Sequence, residues 1–198
     1  GGAYIPESDD KNVPLHLREV LFLEEKEKIA QYVIEHFVKE NDSIMIDSSS
    51  TCYQLAKKII DSGMNVTIIT NSLKIMELFD KQQPNARLIG IGGKFRSKSC
   101  SFVGDTAVKE IESYLVDKCF ISTSALDPVH GLIDSSSQEC QIHKKILEHS
   151  KYHYVLADHT KFSARADYIV SELKNLNSVI TDCKSDPMWD RIFEELNV

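Results

Sequence analysis

Four consecutive hydroxyl side chains are the first feature of this sequence that could bind a ligand. Ser48, Ser49, Ser50 and Thr51 follow a short apolar run and precede apolar residues at helical spacing. The N-terminus of a helix offers free N–H groups and a positive dipole end, which favour phosphate. A helix cap needs one such hydroxyl and leaves the others to solvent, so the loop alone fits a phosphate site and an ordinary cap equally well.

Other candidates stand where further predicted strands end. Ligands of open parallel α/β sheets bind at the carboxyl ends of the strands. Beyond the hydroxyl loop, the residues at such positions are Asp47, Thr70, Asn71, Ser72, Gly92, Gly93, Asp127 and Lys161. The two glycines let backbone approach a ligand, although a plain turn explains them as well. Lys161 would supply a cation for a phosphate or carboxylate, whereas most lysines are solvated surface groups.

Two carboxylates, Asp127 and Glu139, have the chemistry to hydrogen-bond sugar hydroxyls or to move a proton next to a carbonyl. Taken alone, each is better explained by local structure. Asp127 precedes Pro128 and would open a turn, and Glu139 would lie in the first turn of a helix, where the dipole favours acids.

Motifs for nucleotides and metals are missing from the sequence. Neither a G-x-G-x-x-G fingerprint nor a P-loop lysine is present, which leaves a smaller phosphorylated ligand open. The seven histidines include no metal-ligand spacing, and His143, His149 and His153 are expected to be partly exposed. The five cysteines are scattered, with no C-x-x-C pair. We therefore expect no metal, no cofactor, idle or buried thiols and a cytoplasmic protein.

These candidates must be positioned by an alternation of strand and helix patterns along the chain. Helices are predicted at 24–39, 53–60, 73–79, 107–115, 138–149 and 189–196. Strands are predicted at 43–46, 65–70, 86–91, 118–123, 152–157 and 178–181. Several of these strands are continuous apolar runs, as expected when both faces are covered. The order predicts an α/β fold with a parallel sheet and helices on its faces.

Composition limits the function further. A chain of 198 residues, 42% hydrophobic and 27% charged, fits one globular domain. The net charge of −7 has the wrong sign for a surface that neutralises nucleic-acid phosphates. No signal-peptide run is present and no segment approaches the roughly 18 apolar residues of a membrane span. Residues 1–23 are polar and contain two prolines, which predicts a lead-in segment before a domain at 24–198.

The strand-end segments, taken in order, resemble the C-terminal effector domain of DeoR-family bacterial transcriptional regulators. The matching segments are Glu27-Lys28-Ile29-Ala30, Ile46-Asp47-Ser48-Ser49-Ser50-Thr51, Ile69-Thr70-Asn71-Ser72, Gly90-Ile91-Gly92-Gly93, Ser101-Phe102-Val103-Gly104, Asp117-Lys118-Cys119-Phe120, Asp127 with Gly131-Leu132, Glu139, and residues 156–162. Together they cover residues 25–182. No single segment is decisive, but this many in the same order is specific.

The resemblance implies a three-layer αβα fold related to ribose-5-phosphate isomerase and glucosamine-6-phosphate deaminase, with a mostly parallel sheet. It implies a phosphorylated sugar as effector and a dimer or tetramer. In such a domain the loop of Ser48 to Thr51 would hold the phosphate, and Asp47 before it would also belong to the ligand-binding site. The remaining predicted cleft residues would be Thr70, Asn71, Ser72, Gly92, Gly93, Asp127, Glu139 and Lys161.

Three positions depart from the family pattern. The segment Ser122-Thr123-Ser124-Ala125-Leu126 stands where small residues and glycine are usual, and Asp105 stands where proline is common. A lysine usual in the helix after the family's glutamate is His143 here.

The resemblance also gives a meaning to the start of the chain. Gly1-Gly2-Ala3 is similar to the segment that follows the family's N-terminal winged helix-turn-helix, so DNA would be bound only through that missing module. The leading hypothesis is a sugar-phosphate sensor of a transcriptional regulator, most often a repressor. The alternatives are a sugar-phosphate isomerase or deaminase on the same fold and a domain that only mediates oligomerisation.

Overall fold

The computed structural model describes residues 13–82, 84–162, 164–183 and 186–198. Its helices are α1 (Leu15–Arg18), α2 (Leu23–His36), α3 (Ser50–Ser62), α4 (Leu73–Gln82), α5 (Asp105–Ile111), α6 (Ser137–Glu148) and α7 (Pro187–Leu196). Its strands are β1 (Ser43–Ile46), β2 (Thr67–Thr70), β3 (Arg87–Gly90), β4 (Lys94–Arg96), β5 (Ser101–Val103), β6 (Val116–Ile121), β7 (Ala125–Asp127), β8 (Gly131–Asp134), β9 (Ser150–Leu156), β10 (Tyr168–Ser171) and β11 (Ser178–Ile180). Short 3₁₀ helices span His159–Phe162 and Leu173–Asn175.

Six strands form a parallel sheet in the order β11-β9-β6-β1-β2-β3. From β1, the strands β2 and β3 follow toward one edge of the sheet. β6 then lies on the other side of β1, and β9 and β11 follow it toward the opposite edge. The direction of winding therefore reverses between β1 and β6. In open α/β sheets such a reversal opens a crevice at the carboxyl ends of the two strands.

Alternate residues of the central strands enter separate cores on the two faces of the sheet, because successive side chains of a strand point in opposite directions. Ile44 and Ile46 pack with the buried faces of α2, α3 and α4, whereas Met45 packs with those of α5, α6 and α7. Phe120 of β6 is fully buried and stacks on Tyr154 of β9 at 5.3 Å. The predicted three-layer α/β fold with a parallel sheet is confirmed.

The structure contains two small antiparallel sheets that the sequence pattern did not predict. The hairpin β4–β5 folds over the end of β2, where Phe102 N–H donates to Asn71 O and Leu73 N–H to Cys100 O, each at 2.9 Å. The second sheet has the order β10-β8-β7 and follows directly on β6. Its strands have three or four residues, too few to display a period of two in the sequence.

The lead-in segment is described from residue 13 onward, and its first twelve residues, with the Gly1-Gly2-Ala3 start, lie outside the described residues. Leu15 of α1 is buried, and its N–H donates to Lys98 O at 3.0 Å. The domain boundary between residues 23 and 24 stays a prediction. Among the described residues, no helix has the length and apolar character needed to cross a membrane.

The buried face of α3 fixes the helix that carries the hydroxyl loop. Leu55→Ala in its centre, where the side chain is fully buried, is expected to lower the free energy of unfolding by about 2–5 kcal/mol, because a cavity is left behind. Leu115→Ala, at a leucine that is 83% exposed, is the matched control and should stay within about 0.5 kcal/mol. Urea denaturation of both variants measures this, and equal losses would contradict the placement of α3.

Candidate functional site

A cavity of about 440 Å³ opens at the carboxyl ends of β1, β6 and β9, where the sheet reverses its winding. It is lined by the loops after these three strands, by β8, by the start of α6 and by the lead-in segment. The predicted site residues in its wall are Asp47, Ser48, Ser49, Ser50, Thr51, Glu139 and Lys161. Its volume lies in the range of about 300–1,000 Å³ typical of small-molecule pockets.

The hydroxyl loop turns from β1 into α3 at the cavity wall. Ser49 is the N-cap of α3, and its hydroxyl accepts a hydrogen bond from Cys52 N–H at 3.1 Å. Ser48, Ser50 and Thr51 are buried, and their hydroxyls have no hydrogen bond within the described part of the chain. One hydroxyl is thus a cap, and three others remain beside N–H groups that a helix cannot satisfy internally.

The floor of the cavity is a buried cluster of Asp47, His143 and Asp134. His143 Nδ1 lies 2.6 Å from Asp134 Oδ2, and His143 Nε2 lies 3.1 Å from Asp47 Oδ2. A carboxylate accepts hydrogen bonds, so an imidazole between two carboxylates requires a proton on each nitrogen. The prediction that His143 is partly exposed is wrong, since it is 7% exposed and faces the cavity from α6.

The electrostatics of this cluster favour the charged forms of His143 and Asp47. Burial acts to lower the pKa of His143, but the charge and hydrogen bond of Asp134, and then those of Asp47, raise it well above its ordinary value. Burial acts to raise the pKa of Asp47, but the hydrogen bond and charge of His143 and hydrogen bonds from Ser122 and Ser49 lower it below its ordinary value. The cavity floor is therefore an ionised network with fixed geometry.

Asp47 also fixes the two loops that flank it. Its Oδ1 accepts the N–H of Ser49 at 2.9 Å, and its Oδ2 accepts the N–H of Ser122 at 2.8 Å. Both of its oxygens are thereby engaged by protein groups. Asp47 acts on the shape of the site and is poorly placed to contact a phosphate, since it would repel one.

Glu139 lies in the first turn of α6 and also lines the cavity. Its Oε1 lies 3.3 Å from Nη1 of Arg96, which donates in addition to Ser99 Oγ at 2.9 Å. The hairpin β4–β5 therefore positions Glu139 through Arg96. Among the predicted carboxylates, Glu139 faces the cavity and keeps its second oxygen for a ligand hydroxyl.

Lys161 is 9% exposed and reaches the cavity from the 3₁₀ helix after β9. Asp158 begins this turn, accepting the N–H and the hydroxyl of Thr160 on Oδ1 and the N–H of Lys161 on its carbonyl. Neighbouring His159 is held by Asp182 through its N–H at 2.7 Å and its Nδ1 at 3.0 Å.

Five predicted residues lie away from the cavity, at the ends of β2 and β3. Thr70 and Ser72 accept N–H groups at the start of α4, and Asn71 Nδ2 donates to Phe102 O at 2.9 Å. Gly92 N–H donates to Glu110 at 2.7 Å. Gly93 has φ +143°, and a Cβ there would lie 2.9 Å from Val103 O. The hairpin β4–β5 closes this end of the sheet.

Asp127 also lies outside the cavity wall. Its Oδ1 accepts the N–H groups of Val129 and His130 in the turn between β7 and β8, and His130 Nδ1 lies 3.0 Å away. Asp127 therefore stabilises the turn between β7 and β8, as its position before Pro128 indicated.

Several lining residues were not among the predicted ones. Asp134 gave no signal in the sequence because it belongs to the unpredicted strand β8, whereas Ser122, Thr123 and Ser124 follow a predicted strand and could have been found. Arg18, Leu21, Phe22 and Lys26 come from the lead-in segment and the start of α2. No group of three or more side chains suited to holding a metal is found in the described residues.

Comparison with known proteins agrees on one family. The family described as the DeoR C-terminal sensor domain matches residues 22–183. The HTH-type transcriptional regulator IolR of Bacillus subtilis is 34% identical over 93% of this chain and 71% of its own length. The glycerol-3-phosphate regulon repressor of Escherichia coli is 28% identical over 92% of this chain and 71% of its own length.

A solved structure supports the fold alone. Ribose 5-phosphate isomerase A of Methanocaldococcus jannaschii superposes with a TM-score of 0.50 at 18% identity, covering 71% of this chain and 55% of its own.

The His143 cluster predicts a specific pH dependence. At pH 7.5 both ring nitrogens of His143 should still be protonated, whereas a free histidine with a pKa of about 6.5 is mostly neutral. Because the folded-state pKa is raised, its stabilising effect is complete below about pH 6.5 and is lost as the pH rises toward the folded value. Nitrogen-15 NMR of the imidazole ring measures the protonation state.

His143→Gln is the control, because it assigns the signal and removes the titration. Wild type should lose unfolding free energy relative to this variant as pH rises above about 6.5. A neutral His143 ring at pH 7.5 would contradict the ionised cluster.

Proposed function

The chain belongs to the family of DeoR C-terminal sensor domains, and we propose that it senses a phosphorylated sugar on behalf of a transcriptional repressor. The observation that carries this proposal is the start of α3, where Ser48, Ser50 and Thr51 line the cavity beside unsatisfied helix N–H groups. A phosphate in this position would gain hydrogen bonds from hydroxyls and backbone and the favourable end of the helix dipole.

The opposite walls suit the sugar part of such a ligand. Glu139 and the hydroxyls of Thr123 and Ser124 line the cavity, and Lys161 adds positive charge. Carboxylate and hydroxyl oxygens accept hydrogen bonds from sugar hydroxyls, and a cation balances the charge of a phosphate. The relative named for a glycerol-3-phosphate regulon is consistent with a small phosphorylated polyol as the ligand class.

The contacts of Asp47 and Glu139 with protein groups support a sensor function rather than an enzymatic one. An isomerase requires a carboxylate that can accept a proton next to the sugar carbonyl. Asp47 is held by two N–H groups and by His143, and Glu139 is paired with Arg96. These contacts favour binding without turnover, in keeping with relatives that are regulators.

Within the regulator, we assign residues 24–198 to effector binding and oligomer formation and residues 1–23 to the connection with a DNA-binding part. The matched relatives are longer than this chain, which spans 71% of their length. Their names, an HTH-type regulator and a repressor, fit an assembly in which effector binding shifts a dimer or tetramer between DNA-binding states.

A ligand panel tests this proposal. Ribose 5-phosphate, glucosamine 6-phosphate and glycerol 3-phosphate are each compared with the unphosphorylated compound. At about 100 times its Kd, a true ligand should add about 2.7 kcal/mol of stability. This corresponds to a rise in Tm of roughly 5–10 °C for a domain of this size. Differential scanning fluorimetry measures the shift, and product formation is followed in the same mixtures.

Only the phosphorylated member of a pair should raise the Tm, and no product should form. Equal Tm shifts with the free sugar would contradict the phosphate assignment. No Tm shift with any phosphorylated compound would contradict the sensor function. Clear turnover would show that the domain is an enzyme.

The hydroxyl loop can be tested without disturbing the helix cap at Ser49. Ser50→Ala is expected to weaken binding of the phosphorylated ligand about fivefold or more, because a phosphate loses a direct donor. Binding of an unphosphorylated analogue should change little. Isothermal titration calorimetry measures both, with Ser113→Ala as the matched exposed control. Equal weakening of both ligands would place the phosphate elsewhere.

A further inference from the structure

Arg18, at the end of α1, brings an unused donor to the cavity. The residue lines the cavity wall, and its Nε is buried without a hydrogen-bond acceptor. In the parts of the chain that the structure describes, its guanidinium also makes no ion pair. A buried donor without an acceptor is destabilising, so its placement points to a group that the cavity receives from outside.

Other cationic side chains in the cavity wall are already engaged. His143 lies between two carboxylates, and His159 is paired with Asp182. Lys26, which is 4% exposed, donates to the carbonyls of Arg18 and Leu21 at 2.5 and 2.6 Å. Lys26 thereby ties the end of α1 to α2 and holds the Arg18 backbone at the cavity.

The junction between the lead-in segment and the domain is strained. Phe22 has φ 53° and ψ 41°, a left-handed conformation that is sterically unfavourable for a residue with a side chain. In this conformation its ring lies edge-on to His159 at 5.1 Å and forms part of the cavity wall. The lead-in segment is thus bent back across the site, where Leu15 N–H donates to Lys98 O and Glu19 pairs with Lys74.

We propose that Arg18 donates to the phosphate of the bound effector, so that the effector joins the lead-in segment to the strand-end loops of the sheet. The planar guanidinium matches the oxygen geometry of a phosphate. This inference rests on the proposed sensor function and adds a route by which occupancy of the cavity reaches residues 13–22.

The coupling is reciprocal. A ligand that contacts both the sheet and the lead-in segment binds more tightly when the segment is docked, and it must in turn hold the segment in place. Occupied and empty states of the cavity then differ in the freedom of the segment, with no large movement of the sheet.

Hydrogen exchange of the α1 amides tests this directly. The N–H groups of Arg18 and Glu19 donate to Pro14 O and Leu15 O, so they exchange only when the segment opens. The wild-type chain is measured alone, with inorganic phosphate, and with the sugar phosphate that gives the largest rise in Tm. At about 100 times Kd, exchange at these amides should slow by up to about 100-fold, because opening requires loss of the ligand.

Two substitutions isolate the guanidinium. Arg18→Gln should weaken phosphate binding about tenfold or more and abolish the ligand-dependent slowing of exchange. Arg18→Lys, which keeps the charge but lacks Nε, should recover only part of the effect. Arg87→Gln, at an exposed arginine on β3, is the control and should behave as wild type.

The outcomes separate the two proposals. If wild type binds a phosphate and Arg18→Gln binds it equally well with the same slowing of exchange, the role of Arg18 is overturned and the sensor function stands. If wild type binds neither inorganic phosphate nor any sugar phosphate, both proposals fall together.

Discussion

The buried imidazolium of His143 is the interaction on which the cavity depends. It joins three elements that are distant in sequence, because α6 carries His143, Asp47 directly follows β1, and β8 ends at Asp134. Asp47 in turn holds the loops after β1 and β6 through Ser49 and Ser122. Removing one member of such a buried charged group costs about 3–5 kcal/mol, so we expect the cavity floor to act as one rigid unit.

An acidic domain with a net charge of −7 thus contains the cavity for which we propose an anionic ligand. The positive charge of His143 offsets the charge of one of the two carboxylates it contacts, and Glu139 is paired with Arg96. Hydroxyl groups, helix N–H groups and the side chains of Lys161 and Arg18 then set the local potential. The net charge governs the electrostatic interaction of the whole surface with nucleic acid. The ligand preference of a cavity depends instead on a few oriented groups.

The strand-helix alternation was predictable from the sequence because several strands are apolar runs and the main helices have an apolar face. The loop at residues 48–51 could be found by its position after β1. The small strands around Asp134 could not, since their pairing with β10 is set by tertiary contacts. His143 and Arg18 were missed for the same reason. Burial of a charged side chain depends on partners far away in the chain, so the sequence pattern indicated partial exposure for His143 and did not single out Arg18.

A crystal structure of the chain with ribose 5-phosphate, or with the sugar phosphate that binds most tightly, tests the account most directly. The account predicts phosphate oxygens within hydrogen-bond distance of the N–H groups of Ser50 and Thr51, and the sugar between Glu139 and Lys161. A phosphate bound at Asn71 and Gly93, on the far side of the hairpin β4–β5, would contradict it.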